Sequence, residues 1–467
     1  MSAAATVVER TSRLPFSART VFAWHERPGA FERLTPPWER AEVLERSGGL
    51  RDGARVVLRV GAPLGLRWVV RHRDYEPGRQ FVDEQQHGPF SRWTHLHRFE
   101  PDGPDACLMT DRIEYALPLR VPIPIRARLE RMLAYRHELL ARDLEAHAHY
   151  ADRPRLRVAV SGASGTIGRA LVAFLTTGGH TVVPLVRGRR AQEHEAAWNY
   201  ELGRIDAGKL AGVDAVIHLA GENVGARWTA ERRRRIRDSR GIGTRFLSET
   251  LARLPQPPGV LVSASAVGIY GNRGDEALTE ASSTSGPSDF LTEVGREWEA
   301  ATEPARAVGM RVVLARFGIV LTPAGGALAR MLPPFRLGLG GPFGRGRQWM
   351  SWIGIDDLVG AIHHALMTEA LVGPVNVTAP HPVTNREFAT TLGLVLERPA
   401  VVPVPAAALR LALGEMADVA LLSSARVLPA RLQESGYAFR HPVLEDALRF
   451  VLGRPVRAAA TAAAPAR

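Results

Sequence analysis

Cysteine is nearly absent: Cys107 is the only one among 467 residues. No intrachain disulfide can form, and metal sites built from several thiolates are excluded. Lysine is as scarce. Lys209 stands alone, so arginine carries almost all positive charge. Seven tyrosines are present, and none has a lysine four residues later. Long apolar runs are missing too. The best candidate, "AALRLALGEMADVALLSS", is broken by Arg410, Glu415 and Asp418, which argues against a membrane span. The first residues, "MSAAATVVERTSR", lack an apolar core of signal-peptide length. A cytoplasmic location is expected.

What is present describes an ordinary globular chain, 45% hydrophobic and 23% charged. The net charge of +12 raises nucleic acid as a partner. Against that reading, the charge is spread along the chain. In its densest cluster, "ERRRRIRDSR" (231–240), four consecutive arginines point all round a helix and form no single stripe. No nucleic-acid partner is expected.

The pattern changes near residue 153. Before it, "ARVVLRV", "LRWVVRHRDY", "RQFVDEQQH", "SRWTHLHRFE" and "CLMTDRIEYAL" read as successive strands separated by Gly, Pro and Asp turns. From about Pro124, Leu129, Met132, Leu133, Leu139, Leu140 and Leu144 recur at helical spacing. The expectation is an α+β domain over 1–152, a curved sheet wrapped on one long helix with a cavity between them. From Leu156, apolar runs ("LRVAVSG", "TVVPLVR", "AVIHLAG", "GVLVSAS", "RVVLARFG") alternate with helical stretches. That alternation predicts an α/β Rossmann domain, a doubly wound parallel sheet, over 156–380. A smaller lobe over 381–453 should complete a substrate site, and 454–467 read as a disordered tail.

The segment "SGASGTIG" sets Gly162, Gly165 and Gly168 between a strand and a helix. Glycine lets the backbone approach a pyrophosphate, and a helix N-terminus offers free N–H groups and a positive dipole end. The next strand ends in Arg187, Arg189 and Arg190, with no acid before Glu193. An acid there suits the ribose hydroxyl of NAD, whereas arginine suits the 2′-phosphate of NADP. NADP is the expected cofactor.

Seven segments carry a family likeness. "GASGTIG", "HLAGENV", "RWTAERRRRIRDSRGIGTR", "SASAVGIYG", "DFLTEVGREWE", "GLGGPFGRGRQWMSWI" and "PVTNREF" occur in that order. Together they resemble the atypical, epimerase-like branch of extended short-chain dehydrogenase/reductases, which is related to sugar-nucleotide epimerases and carries a C-terminal extension of unknown function. Residues 1–150 resemble the helix-grip START/polyketide-cyclase superfamily, with "GPFSRWTHLHRFEP" as the best stretch. The first resemblance implies cofactor contacts at Gly162, Ser164, Gly165, Thr166, Ile167, Gly168, Arg187, Leu219, Ala220 and Gly221. Glu222 and Arg227, just after "HLAG", are further candidates, with a plain surface acid as the alternative for Glu222. The second implies an apolar, lipid-like or polycyclic ligand for the N-terminal domain.

The resemblance also implies a serine, a tyrosine and a lysine sharing the proton work, the lysine lowering the phenol's pKa from near 10. Ser265 matches the serine position. The tyrosine–lysine slot holds Phe290, Leu291 and Glu293 instead. Three readings stay open. A substitute acid/base acts, with Tyr270 and Glu293 the candidates beside Ser265, and Asp289 near them. Or the domain binds NADP(H) without turnover, as a sensor or scaffold. Or hydride transfer proceeds with water supplying the proton. A small-molecule substrate is expected; its identity and the oligomeric state stay open.

Arg345, Arg347, Gln348 and Trp352 are candidates for a pocket lining, or else belong to a glycine-rich loop that packs its tryptophans. The family has a histidine after "WI" where this chain has Gly354. Asp356 and Asp357 are expected to begin a helix, where negative charge is favourable. On a strand, "WTHLHRF" sets Trp93, His95, His97 and Phe99 on one face. Two such histidines can bind a metal. A third ligand is not legible in sequence, so a hydrogen-bonded role is preferred and no metal site is assigned.

Overall fold

The computed structural model describes residues 5–61, 65–118, 124–188, 191–286 and 288–455. The chain divides into two compact units. One takes the residues up to Glu26, Leu34–Ala141 and those from Glu445; the other takes Arg27–Arg33 and Arg142–Leu444.

The first unit is built on seven antiparallel strands: β1 (Thr6–Leu14), β2 (Ala41–Ser47), β3 (Arg55–Val60), β4 (Leu66–Glu76), β5 (Gln80–His87), β6 (Arg92–Pro101) and β7 (Cys107–Ala116). Their order is β1-β7-β6-β5-β4-β3-β2, a meander closed by the first strand. The five strands read from alternation are β3 to β7. Along β6, Trp93, His95, His97 and Phe99 are all buried while their neighbours are more exposed, as a period of two requires. The helix Ile125–Ala148 starts in this unit. Its Leu129 and Leu133 pack on Val8, Trp93, Ile113 and Tyr115 of the sheet. Each large apolar side chain so buried contributes about 1.5–3 kcal/mol.

The second unit holds β8 (Arg157–Ser161), β9 (Thr181–Val186), β10 (Ala196–Asn199), β11 (Arg204–Ile205), β12 (Ala215–His218) and β13 (Val260–Ala266), with two further strands, Arg311–Phe317 and Gly373–Val377. The sheet runs β11-β10-β9-β8-β12-β13, then Arg311–Phe317, then Gly373–Val377. All these pairings are parallel except β10 with β11. Helices cover it, so its strands are buried along nearly their whole length and read as apolar runs. Strand order reverses between β8 and β12, the place where open α/β sheets take ligands.

Two expectations about acids and arginines are refined. Asp356 and Asp357 do start a helix, Ile355–Met367, but every residue of that helix is buried. Charge there needs partners more than a dipole. Arg33 reaches Asp356 at 2.6 Å, while the backbone N–H groups of Arg440 and His441 donate to Asp357 at 2.7 and 3.0 Å. The arginines of "ERRRRIRDSR" lie on the helix Ala230–Ala252, and several pair with acids of the same unit: Arg232 with Glu222, Arg233 with Glu415, Arg234 with Glu231, Arg237 with Glu293 and Glu297. No helix among the described residues is long and apolar enough to cross a membrane.

Candidate functional site

The turn after β8 is shaped by steric necessity. Gly162 has φ +70°, and a Cβ there would stand 3.0 Å from the backbone of Leu219 and Ala220. A Cβ on Gly168 would lie 2.1 Å from the Gly162 carbonyl oxygen. Gly165 donates to that same carbonyl at 3.0 Å and caps the helix Thr166–Thr177 without any side-chain acceptor. The first N–H groups of this helix, from Thr166 to Gly168, are thus offered to an anion, as a pyrophosphate site needs. Ser164 is exposed in the turn, and its carbonyl accepts from Arg169 at 2.8 Å.

The loop Leu219–Gly221 is brought against this turn by a buried relay. Ser161 Oγ accepts from the N–H groups of Leu219 and Ala220, at 3.1 and 3.3 Å. Its proton therefore goes to His218 Nδ1, 2.6 Å away. His218 Nε2 then carries the ring proton and donates to Thr244 Oγ1 at 3.0 Å. Burial, with the charge of Arg240 adding to it, pushes this imidazole down to about 4, so it is neutral in the fold.

The other cofactor candidates are dispersed. Arg187 follows β9, half-exposed, with Glu201 at 3.8 Å. Arg189 and Arg190 lie outside the described residues. Glu222 is held through its backbone, its N–H donating to Ser239 Oγ at 3.0 Å and its carbonyl accepting from Arg240 at 3.0 Å. Arg227 donates to the Leu411 carbonyl at 2.9 Å, tying the loop after Gly221 to the helix Ala406–Leu413.

Of the proposed acid/base residues, the structure joins two and separates the third. Ser265 lies one residue before the end of β13, in register with Arg316 on the next strand, which is in register with Asn376 on the one after. Ser265 Oγ donates to Glu299 at 2.7 Å. Arg316 grips both oxygens of Glu299 at 2.8 Å and donates to the Tyr270 hydroxyl at 2.8 Å. That hydroxyl has Asn376 Oδ1 at 2.8 Å and the Thr279 carbonyl at 3.1 Å as acceptors for its own proton. Burial raises the phenol's pKa even though Arg316 and Asn376 pull it down, so Tyr270 stays protonated. Burial works against the Arg316 charge as well, yet Glu299 and Tyr270 hold it above its ordinary value. Glu293 is not in this network: its exposed carboxylate meets Arg237 at 2.9 Å and Ser288 at 3.3 Å.

Asp289 is a helix cap. Its Oδ1 accepts from the N–H groups of Leu291 and Thr292, both at 2.9 Å, and Thr292 Oγ1 returns the bond to the Asp289 N–H at 2.8 Å. Such a cap stabilises a helix by about 1 kcal/mol. The helix it starts, Phe290–Ala300, turns Phe290 and Val294 onto Ile236 and carries Trp298 under Arg240. Of the pocket candidates, Trp352 is fully buried and donates to the His381 carbonyl, while Gln348 donates to the carbonyls of Phe343 and Leu421. These two hold loops together, as the packing alternative expects.

Sequence reasoning missed Glu299 and Arg316. Both sit inside stretches that drew attention, at the end of "DFLTEVGREWE" and within "ARFGIVL". A lone arginine in an apolar strand was the available signal, since a buried charge requires a partner.

A parallel sheet that reverses strand order beside a glycine-lined turn defines a Rossmann-type α/β protein. The model of the NAD dependent epimerase/dehydratase family matches residues 158–377. That of polyketide cyclase / dehydrase and lipid transport matches 14–136, and a domain of unknown function matches 404–451. An epimerase family protein of Mycobacterium bovis is 44% identical over 299 residues, 64% of this chain and 98% of the relative. The crystal structure of the nucleoside-diphosphate sugar epimerase from Corynebacterium glutamicum is similar over 96% of this chain and 90% of its own, with 34% identity and a TM-score of 0.80. The crystal structure of human epimerase family protein SDR39U1 with NADPH covers 63% of this chain and 99% of its own, at 35% identity and a TM-score of 0.58. The chain belongs to the NAD dependent epimerase/dehydratase family, in its atypical extended short-chain dehydrogenase branch, and carries a polyketide-cyclase-like domain ahead of it.

Proposed function

We propose that the second unit binds NADP(H) and serves as an oxidoreductase or epimerase acting on a small molecule without a tyrosine–lysine proton relay. The observation that carries this reading is the turn Gly162–Gly168 at the reversal of strand order, with the free end of the helix Thr166–Thr177 aimed at it. Gly162, Ser164, Gly165, Thr166, Ile167 and Gly168 would hold the pyrophosphate, and Leu219, Ala220 and Gly221 would pass beside the adenosine. Arg187 would meet the 2′-phosphate, exchanging its weak surface pairing with Glu201 for a charge-assisted contact. The human relative crystallised with NADPH supports the choice of NADP over NAD.

A second reading, a cofactor-dependent sensor without turnover, is favoured by one observation. The proton of Ser265 is committed to Glu299, and Tyr270 is fastened between Arg316 and Asn376. In the first reading water or the substrate supplies the proton, and these residues position the strand ends. For the first unit, the match to polyketide cyclase / dehydrase and lipid transport proteins supports an apolar ligand beside the partly buried Trp68 and Phe90.

A fluorescence titration tests the cofactor. NADPH is expected to bind more tightly than NADH, and Arg187→Ala is expected to weaken NADPH by about 10–100-fold, the loss of one charged contact of about 1.4–2.8 kcal/mol, while sparing NADH. Equal affinities for the two cofactors would sink the assignment. Gly168→Ala gives a second check. Its methyl group would collide with the Gly162 carbonyl, so binding of both cofactors should be lost while the first unit's fold, read by near-ultraviolet circular dichroism, persists. A screen for NADPH oxidation over carbonyl substrates, with NMR analysis for an inverted stereocentre to catch a redox-neutral epimerase, then separates the two readings, because a sensor gives neither.

A further inference from the structure

The inner face of the first unit's sheet should be apolar where a helix covers it. Instead a row of imidazoles and carboxylates crosses it. Register sets His72 of β4 beside Asp83 of β5, Asp83 beside His95 of β6, and His97 of β6 beside Asp111 of β7. His137, from the helix Ile125–Ala148, approaches Asp111 Oδ2 at 3.0 Å through Nε2 and Ser12 Oγ at 2.8 Å through Nδ1. His72, His95, His97, Asp111 and His137 are buried, while the Asp83 side chain keeps 25% of its surface exposed. Burying so many polar groups is costly unless something holds them together.

Hydrogen bonds do not do all of this holding. His97 Nδ1 lies 2.6 Å from Asp111 Oδ1, and His72 Nδ1 lies 2.7 Å from Asp83 Oδ1. Neither contact is aligned as a hydrogen bond, and His72 Nδ1, His97 Nδ1 and Asp83 Oδ1 are buried with no hydrogen-bond partner. The rings of His95 and His97 stand with centroids only 3.9 Å apart. What converges is one ligand atom each from Asp83, His95 and His97, and Asp83 Oδ1 among the carboxylate atoms there has no aligned donor, an arrangement that suits a shared cation.

We propose that Asp83, His95 and His97 form a binding site for a divalent transition-metal ion of the zinc type. One ligand atom from each lies within 4.8 Å of the others, so about an ångström of closure completes the shell. Two imidazoles select zinc-type ions over calcium or magnesium, which want oxygen. Asp111, at 3.2 Å from His95 Nε2 and bonded to His137, is the carboxylate that orients the ligands from behind. Asp83, at the partly exposed edge, gives the ion its way in. A three-residue shell leaves a further coordination position for water or a ligand of the first unit. The site is independent of the cofactor assignment, which concerns the other unit.

The test uses the full chain without a histidine tag, stripped with a chelator and titrated with Co²⁺. One equivalent should bind with visible d–d bands, and Zn²⁺ should bleach them. His95→Gln and His97→Gln should each abolish the bands. His137→Gln, behind the ligands, should weaken Co²⁺ binding by about 10–100-fold. Asp83→Asn, at the exposed edge, carries the test should a histidine variant fail to fold, and it should weaken binding at least tenfold while NADPH titration is unchanged. No bands at micromolar Co²⁺, bands that survive His95→Gln, or a Co²⁺ affinity that Asp83→Asn leaves unchanged would overturn the proposal.

Discussion

Replacing Arg316 with methionine is expected to destabilise the second unit by about 3–5 kcal/mol, the typical consequence of leaving a buried partner charge alone. The residues left behind are Glu299, whose two oxygens both rest on the guanidinium, and Tyr270, whose hydroxyl accepts from it. The pair is nearly dry, with side-chain exposures of 6% and 12% for Arg316 and Glu299, so water cannot easily take over. The double variant Arg316→Met/Glu299→Met should recover much of the loss, because no unpaired charge then remains. Urea unfolding followed by circular dichroism gives both values. If Arg316→Met costs less than about 1 kcal/mol, the network is not structural, and Ser265 and Tyr270 regain their standing as reacting groups.

Lowering the pH should produce an effect of similar size. His218 and His147 are fully enclosed. Burial pushes His218 down to about 4, with Arg240 adding to it. Burial also pushes His147 down to about 3, against the pull of Asp143 and with help from Arg440, His180 and Arg33. Unfolded, each imidazole titrates near the ordinary 6.5. Between that value and the depressed ones the unfolded chain binds more protons, so stability falls as pH falls. At pH 5 each costs about 2 kcal/mol, or about 4 kcal/mol together, relative to pH 7.5. The urea midpoint should drop by at least that much, because burial also pushes His180, His364 and His441 of the same unit down to about 4 and lowers His363 as well, and His218→Gln should remove only its own share of about 2 kcal/mol. A midpoint that stays level from pH 7.5 to 5 would show that these rings accept protons in the fold.

The architecture was legible because it depends on local periodicity. Strands β3 to β7 show alternation, the long helix shows its leucines every three or four residues, and the parallel strands show as apolar runs between helices. Strand β1 escaped notice. It is an edge strand, and "TVVERTSRL" buries only Val8 and Leu14 outright, so its pattern is mostly polar. The glycine turn was readable since steric demands act within a few residues. The Ser265–Glu299–Arg316–Tyr270 network was not, because its members come from four elements, two neighbouring strands set in register and the turn and helix that follow the first of them. The same holds for the histidines of the first unit. His95 and His97 declared a shared face, but Asp83 and Asp111 joined them only once β5 and β7 were laid in register with β6.

The helix that begins at Asp289 bears on any attempt to give this scaffold back a phenol and an amine by design. A tyrosine and a lysine four residues apart have four registers to choose from near its start; three are already taken, and the fourth faces away from Ser265. Positions 290 and 294 are core, packed with Ile236 and Trp228, so an ammonium there would be entombed in hydrocarbon. Positions 291 and 295 fail at the second residue, where even a methyl group on Gly295 would press on Ile269 Cβ at 3.1 Å. Thr292 closes the cap, and Arg296 ties down the carbonyls of Thr284 and Gly286. Only Glu293 and Glu297 are free to change, and they face outward to Arg237. Retrofitting the relay therefore calls for a rebuilt helix rather than two substitutions, and lineages that share this helix are committed to chemistry, or to binding, that does without it.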